Sequence, residues 1–165
     1  MKRRYIISLA LVALLLIIPG CGRDNSEDAP ADATITISPS SNTITVAAGY
    51  PLTTYSSSFT IVVKDKKGTP LNDVDLTISY PWASTATTTG VVQFYDGVPD
   101  GGASATVSPM SATTDKNGAY TIWFTYQVGD TAPGVPDEGD LAYKGDFQVT
   151  SGSLFSSATF EVTVE

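Results

Sequence analysis

The chain has 165 residues, 17 of them acidic and 9 basic, with no histidine and a single cysteine. This charge excludes nucleic acid as a partner, because a negative surface repels a phosphate backbone. The missing histidine excludes the Ser-His-Asp triad, the Cys-His pair and histidine-ligated zinc or haem, and the lone Cys21 excludes a disulfide within the chain.

Residues 1–20 have the composition of a cleaved secretory signal peptide. A positive start (residues 1–4) precedes an apolar run (residues 5–18), and Pro19-Gly20 ends that run. The run is shorter than the roughly 20 residues that a membrane-spanning helix needs. An uncleaved N-terminal membrane helix is the alternative. After cleavage, six basic residues remain against 17 acidic ones, which gives a formal charge of about −11.

The segment that follows the signal peptide is polar and acidic. Residues 22–33 contain no large apolar side chain and carry Asp24, Glu27, Asp28 and Asp32. Such a composition does not bury enough apolar surface to fold. We therefore predict that residues 21–33 form a flexible acidic tether, and that the domain begins at residue 34.

From Thr34 onward, the apolar residues recur with a period of two. Apolar side chains alternate with mostly polar ones, Val62 and Trp123 being exceptions, in seven segments: 34–38, 43–46, 59–64, 73–80, 119–126, 146–150 and 158–164. Alternation with β-branched and aromatic residues is typical of half-buried strands. No later segment has a helical period. The pattern predicts one all-β domain over 34–165, an antiparallel two-sheet sandwich of seven or eight strands.

Two turns have the same form, D-K-x-G, at Asp65–Gly68 and at Asp115–Gly118. An aspartate side chain accepts hydrogen bonds from its own turn, and glycine adopts positive φ without steric cost. We interpret both as tight turns between strands rather than as ligand sites.

These turns and their flanking strands resemble a known family, the bacterial immunoglobulin-like domains of invasin- and intimin-type adhesins. That family repeats V-x-V-x-D-x-x-G-x-P, then T-D-x-x-G-x-A and two closing V-x-V strands. The matching positions are Ile61, Val63, Asp65, Gly68, Pro70 and Leu76, followed by Thr114, Asp115 and Gly118, with Tyr120 where the family often has alanine. The resemblance covers residues 34–165 and implies an immunoglobulin-like sandwich. It implies little about function, because this fold supports many roles.

The residues before the cysteine resemble a bacterial lipobox, Ile18-Pro19-Gly20-Cys21. The resemblance implies that Cys21 becomes the lipidated N-terminal residue and that the protein is held in a membrane of the bacterial cell envelope. Gly22 is similar to the residue found in lipoproteins that are sent to the outer membrane. Whether the domain faces the periplasm or the cell surface stays open.

Two segments rich in acidic and glycine residues, 96–102 and 127–143, are the candidate calcium site. Their candidate ligands are Asp96, Asp100, Asp137, Glu138 and Asp140. Calcium prefers loop carboxylate and carbonyl oxygens, although neither segment matches the EF-hand loop. Solvated polar loops are the alternative. If residues 103–107 form a full strand, the two segments share one end of the sandwich; if not, they lie at opposite ends.

Aromatic residues offer a second candidate site. Trp82 follows a predicted strand, and Trp123 lies on the strand face opposite Ile122 and Phe124. The aromatic set also includes Tyr55, Tyr95 and Tyr143. Exposed rings of this kind stack on sugars in carbohydrate-binding modules, whereas core or edge packing is the alternative. We predict no catalytic residues, since only a carboxylate pair remains available as acid and base.

Together these patterns predict a lipid-anchored, non-catalytic binding, adhesion or structural module of the cell envelope. Its partners would be a membrane, through Cys21, and an envelope protein or polysaccharide. A carbohydrate-binding module and a calcium-stabilised adhesin unit are the alternatives.

Overall fold

The structure is a computed structural model and describes residues 26–47, 54–80, 90–128 and 141–165. Nine strands form in these ranges: β1 (Thr34–Ser38), β2 (Ser41–Val46), β3 (Thr54–Lys64), β4 (Asp75–Ser79), β5 (Gly90–Asp96), β6 (Met110–Thr113), β7 (Ala119–Val128), β8 (Leu141–Ser151) and β9 (Leu154–Val164). The one helix in the same ranges is a 3-10 turn, Pro99–Gly101. No described helix is long and apolar enough to cross a membrane.

The strands form two sheets, in the orders β1-β3-β7-β5 and β2-β9-β8-β4-β6. The first order and the β9-β8-β4 part of the second match the two sheets of a seven-stranded immunoglobulin domain. The predicted immunoglobulin-like sandwich is therefore confirmed. The strand number is nine rather than seven or eight, because β2 pairs in parallel with β9 at one edge and β6 pairs with β4 at the other.

The core lies between the sheets and is built from the apolar half of each alternating pattern. In β4, Leu76 and Ile78 are buried, and in β7, Ile122, Phe124 and Tyr126 are fully buried. Five phenylalanines fill the centre: Phe59, Phe94, Phe124, Phe147 and Phe160. Phe59 and Phe124 stack with centroids 5.5 Å apart, and the edge-to-face pairs include Phe59 with Phe147 at 4.7 Å and Phe94 with Phe160 at 5.3 Å. Such aromatic pairs stabilise a core beyond the area that they bury.

The two ends of the sandwich differ in their connections. At one end, which we call the turn end, β3, β6 and β8 finish, and the turns 65–69, 115–118 and 151–154 lead into the next strands. At the other, the loop end, β2, β4 and β7 finish and β3, β5 and β8 begin. The strand ends that flank 48–53, 81–89 and 129–140 therefore all lie at the loop end.

The two D-K-x-G turns have the predicted geometry and also pack against each other. The Asp65 Oδ1 accepts the N–H groups of Lys67 and Thr69, both at 2.8 Å. The Asp115 Oδ1 accepts those of Asn117 and Ala119 in the same way, at 2.8 and 2.9 Å. These bonds are the tight-turn chemistry that the sequence predicts.

The glycine of the second turn lies directly against the first turn. The Val63 N–H donates to the Gly118 carbonyl at 2.8 Å. A Cβ at Gly118 would lie 2.8 Å from the Val63 oxygen and from the Leu71 nitrogen, whereas a Cβ at Gly68 would meet nothing within 4 Å. Only the second glycine is therefore required by packing as well as by its positive φ of 68°.

The predicted tether is wrong for residues 27–33, which pack onto the turn end. Glu27 forms a parallel bridge with Val74. The Ala29 N–H donates to the Ser151 hydroxyl at 2.8 Å, and Ala29 and Ala33 are buried. Small alanines and backbone hydrogen bonds attach this segment, so large apolar side chains are not needed. The prediction of a tether stays open for residues 21–25, outside the described ranges.

Candidate functional site

Trp123 lies on the outer face of the four-stranded sheet, at the centre of β7. Its neighbours Ile122 and Phe124 point into the core, so the alternation of the strand turns Trp123 outward. The backbone register pairs Trp123 with Ser58 of β3 on one side and with Tyr95 of β5 on the other. Trp123 and Tyr95 are both half-buried. Two aromatic residues from different strands thus lie side by side on the outer face of the sheet.

Hydroxyl and amide groups surround this aromatic pair. The Tyr95 hydroxyl donates to the Gln93 Oε1 at 2.8 Å, and Gln93 pairs in register with Thr125. The Thr60 and Thr121 hydroxyl oxygens lie 3.5 Å apart. The positions next to Trp123 on this face carry no charged residue among the described strands. We call the surface formed by Gln93, Tyr95, Trp123 and their Ser and Thr neighbours the Trp123 face.

The sequence named Trp123 and Tyr95 as aromatic candidates but did not predict that they are neighbours. Their pairing depends on the register of β5 against β7, which are not consecutive in the chain. Gln93 was missed; the alternation of Gln93 and Tyr95 with Val92 and Phe94 is the signal that could have identified it. The second predicted tryptophan, Trp82, lies outside the described residues.

Of the predicted calcium ligands, Asp96 ends β5 and Asp100 lies in the 3-10 turn that follows. The Asp96 Oδ1 accepts the Tyr120 hydroxyl at 2.7 Å. Burial raises the pKa of Tyr120 above its ordinary value, and the hydrogen bond and charge of Asp96 raise it further. The phenol therefore stays neutral and donates this bond at physiological pH.

The acidic segments begin at opposite ends of the sandwich. Asp96 pairs with Ile122 near the turn end, whereas Gly90 pairs with Val128, which precedes 129–140 at the loop end. Residues 103–107 are not a full strand, since only Ala105 forms an isolated bridge, to Tyr95. The structure therefore agrees with the alternative in which the two acidic segments lie at opposite ends of the sandwich.

Calcium stays a prediction. Asp137, Glu138 and Asp140 lie outside the described residues, as does Cys21. In the described ranges, no group of three or more acidic or cysteine side chains is placed to hold a metal ion.

A shallow depression of about 430 Å³ lies by β4 and β8, lined by Ser79, Tyr80, Gly145, Asp146 and Gln148. Its one carboxylate, Asp146, accepts the Thr159 hydroxyl at 2.7 Å. A glycoside hydrolase of the usual kind needs two carboxylates across the scissile bond, and these lining residues supply one.

No protein-family model matches the chain, and no curated protein matches it either. Solved structures similar to this chain include three from different kinds of protein. Domains 4 and 5 of the S-layer protein SbsC share 17% identity (79% of this chain, 44% of that chain, TM-score 0.39). A family 123 glycoside hydrolase from Clostridium perfringens shares 13% (81% and 27%, TM-score 0.45). A conjugative transposon lipoprotein from Bacteroides eggerthii shares 11% (79% and 98%, TM-score 0.38).

The chain thus spans less than half of the S-layer fragment and about a quarter of the hydrolase. Similarities this distant carry no argument about function. The immunoglobulin-like assignment follows from the strand order and register of the chain itself.

Proposed function

We propose that the chain is a lipid-anchored, non-catalytic binding module of the bacterial cell envelope, with residues 1–20 as its signal peptide and Cys21 as its lipidated residue. One observation carries the proposal beyond the sequence pattern. Residues 27–33 are fixed to the turn end, so only residues 22–26 separate Cys21 from the folded domain. An anchor at this position leaves the Trp123 face and the loop end free to meet a partner.

The anchor would supply position rather than chemistry. A diacylated or triacylated cysteine holds a protein stably at a bilayer, whereas one acyl chain gives only marginal binding. The proposed partner is an envelope protein or polysaccharide. The outer membrane is the proposed location, on the resemblance of Gly22 to the outer-membrane sorting pattern.

Fractionation of the native cell tests the anchor. The natural chain should sediment with membranes and be released by detergent, while Cys21→Ser should be recovered in the soluble envelope fraction or retained with an unprocessed signal. A matched Ser26→Cys variant keeps Cys21 and should fractionate like the natural chain. The proposal would be contradicted if the Cys21→Ser protein had lost its signal peptide and still sedimented with membranes until detergent released it.

The Trp123 face favours a second function, the binding of a neutral glycan. Amphipathic rings offer a flat apolar surface, and nearby hydroxyl and amide groups offer hydrogen bonds to sugar hydroxyls. The lack of charge at the neighbouring positions fits a neutral rather than an acidic sugar. We expect Trp123→Ala to weaken binding to a neutral envelope polysaccharide by roughly tenfold, about 1.4 kcal/mol.

The matched control for Trp123→Ala is Phe155→Ala. This variant also removes an aromatic ring from the outer face of a sheet, but the ring is exposed and the sheet is the other one. Its affinity should equal that of the natural chain in the same titration. Equal affinity of all three chains, or no binding by the natural chain, would refute glycan binding at the Trp123 face and leave the anchor proposal intact.

A further inference from the structure

Phe155 differs from every other phenylalanine of the chain. The other five form the core and are at most 2% exposed, while Phe155 is 60% exposed. It lies second in β9, paired with Thr150, on the outer face of the five-stranded sheet at the turn end. A single exposed apolar side chain is ordinary on a protein surface. Its place relative to the proposed anchor is the informative feature.

Phe155 lies close to the point at which the chain from Cys21 joins the domain. The hairpin that precedes it contacts the N-terminal segment: the Ser151 hydroxyl accepts the Ala29 N–H, and a Cβ on Gly152 would lie 3.2 Å from the Asp28 Cβ. The attachment site and the exposed ring therefore share the turn end.

The length of the intervening chain limits how far this end lies from a bilayer. Six Cα–Cα steps join Cys21 to Glu27, which span at most ~20 Å when fully extended. This step rests on the proposed lipidation of Cys21. With acyl chains in the membrane, the turn end lies within that distance of the lipid surface.

The charges of the turn end indicate which kind of contact forms there. Four of the five described lysines lie at this end, Lys64, Lys66, Lys67 and Lys116. The carboxylates at the same end outnumber them: Glu27, Asp28, Asp32, Asp65, Asp73, Asp75, Asp96 and Asp115. Lys66 is also paired with Asp32 at 2.9 Å. An excess of negative charge gives no attraction to lipid phosphates, so the contact must come from apolar groups.

We propose that the turn end of the anchored domain rests on the lipid headgroup layer, with the Phe155 ring in contact with that layer. Val98, which is 50% exposed in the loop after β5 at the same end, is available on the other sheet. Apolar side chains that enter a membrane interface add to an acyl anchor, and such contacts are insensitive to salt. The domain is thereby oriented, with the loop end outward.

The lone cysteine makes this orientation measurable. Acylation consumes the Cys21 thiol, so a cysteine introduced at exposed Ser153, beside Phe155, takes an environment-sensitive fluorophore at one site. Thr54→Cys places the same label at the loop end. In lipidated full-length protein on phosphatidylcholine vesicles, the label at 153 should shift its emission to the blue and be quenched by doxyl-labelled lipid. The label at 54 should keep the emission that it has in water.

Two further variants assign the contact to Phe155. Phe155→Ser should move the emission at 153 towards its value in water. Val107→Ser is the control and should leave the emission unchanged. The Val107 side chain is 67% exposed, but it follows the bridge at Ala105 and does not lie at the turn end. When Phe155 is kept, molar salt should leave the emission of the label at 153 unchanged.

Equal signals at 153 and 54, no effect of Phe155→Ser, or loss of the signal in molar salt would each overturn the proposed contact. The mass of the N-terminal peptide from the same sample separates this failure from failure of the anchor. Acylated Cys21 with a water-exposed label at 153 contradicts only the orientation. A free or labelled thiol at Cys21 contradicts both proposals.

Discussion

The turn end and the loop end of the sandwich are built differently. At the turn end, aspartate side chains and backbone groups close the turns 65–69 and 115–118 with hydrogen bonds. At the loop end, the strands are joined through 48–53, 81–89 and 129–140, and the last segment carries four acidic residues and no basic one. Binding residues in proteins lie disproportionately on loops that a rigid scaffold holds. The difference between the ends agrees with the proposal that the turn end serves attachment and the loop end recognition.

The largest expected effect tests whether the turn end is a packed unit. Gly118→Ala places a methyl group against two backbone atoms at positive φ, and we expect a loss of about 2–4 kcal/mol in the free energy of unfolding. Gly68→Ala, in the twin turn, meets only the conformational penalty of about 1–2 kcal/mol. Urea unfolding at neutral pH measures both. Equal losses would show that the packing of one turn against the other contributes nothing to the free energy of unfolding.

A smaller effect is expected where the N-terminal segment joins the domain. Ser151→Ala removes the acceptor of the buried Ala29 N–H, which should cost about 1–3 kcal/mol. Ser153→Ala, two residues along in the exposed turn, should change the stability by no more than about 0.5 kcal/mol. The same unfolding measurement compares them. A Ser151→Ala variant as stable as Ser153→Ala would mean that residues 27–33 are loosely attached.

The smallest effect is the dependence of the turn end on pH. The backbone N–H of Thr69 lowers the pKa of Asp65, and that of Ala119 lowers the pKa of Asp115, both from an ordinary 3.8. Groups with a lowered folded pKa stabilise the fold above their unfolded pKa, and this contribution is lost as the pH falls through the folded value. We expect the urea concentration at the unfolding midpoint to decrease when the pH is lowered below about 4.

The double variant Asp65→Asn, Asp115→Asn tests the source of that pH dependence. Asparagine keeps a side-chain oxygen that accepts the turn N–H groups, so the turns should persist at neutral pH. Because asparagine does not titrate, the midpoint should fall less steeply in acid than that of the natural chain. An identical acid slope in both chains would assign the pH dependence to other carboxylates.

The sequence predicted those features that depend on a single strand or turn. β4 and β7 were predictable because each buries one alternating face, and the two D-K-x-G turns because aspartate and glycine determine their own local geometry. β6 was missed because its four residues, Met110–Thr113, are too few for an alternation to stand out. In β5, the adjacent Val91 and Val92 obscure the alternation of its later residues.

Features that depend on distant pairs could not be predicted. The packing of residues 27–33 depends on a hydrogen bond from Ala29 to Ser151, 122 residues away, and on alanines too small to stand out as core residues. The pairing of Trp123 with Tyr95 depends on the register of two strands that are not consecutive. Phe155 is exposed because its position in β9 lies on the outer face of the sheet.

The proposed anchor at the turn end is tested most directly by the mass of the N-terminal peptide of protein extracted from native envelope membranes. The account predicts that Cys21 is the first residue and that it carries two or three acyl chains. A chain that begins at Met1 and has a free thiol at Cys21 would contradict the account, and it would remove the reason for directing the turn end towards a membrane.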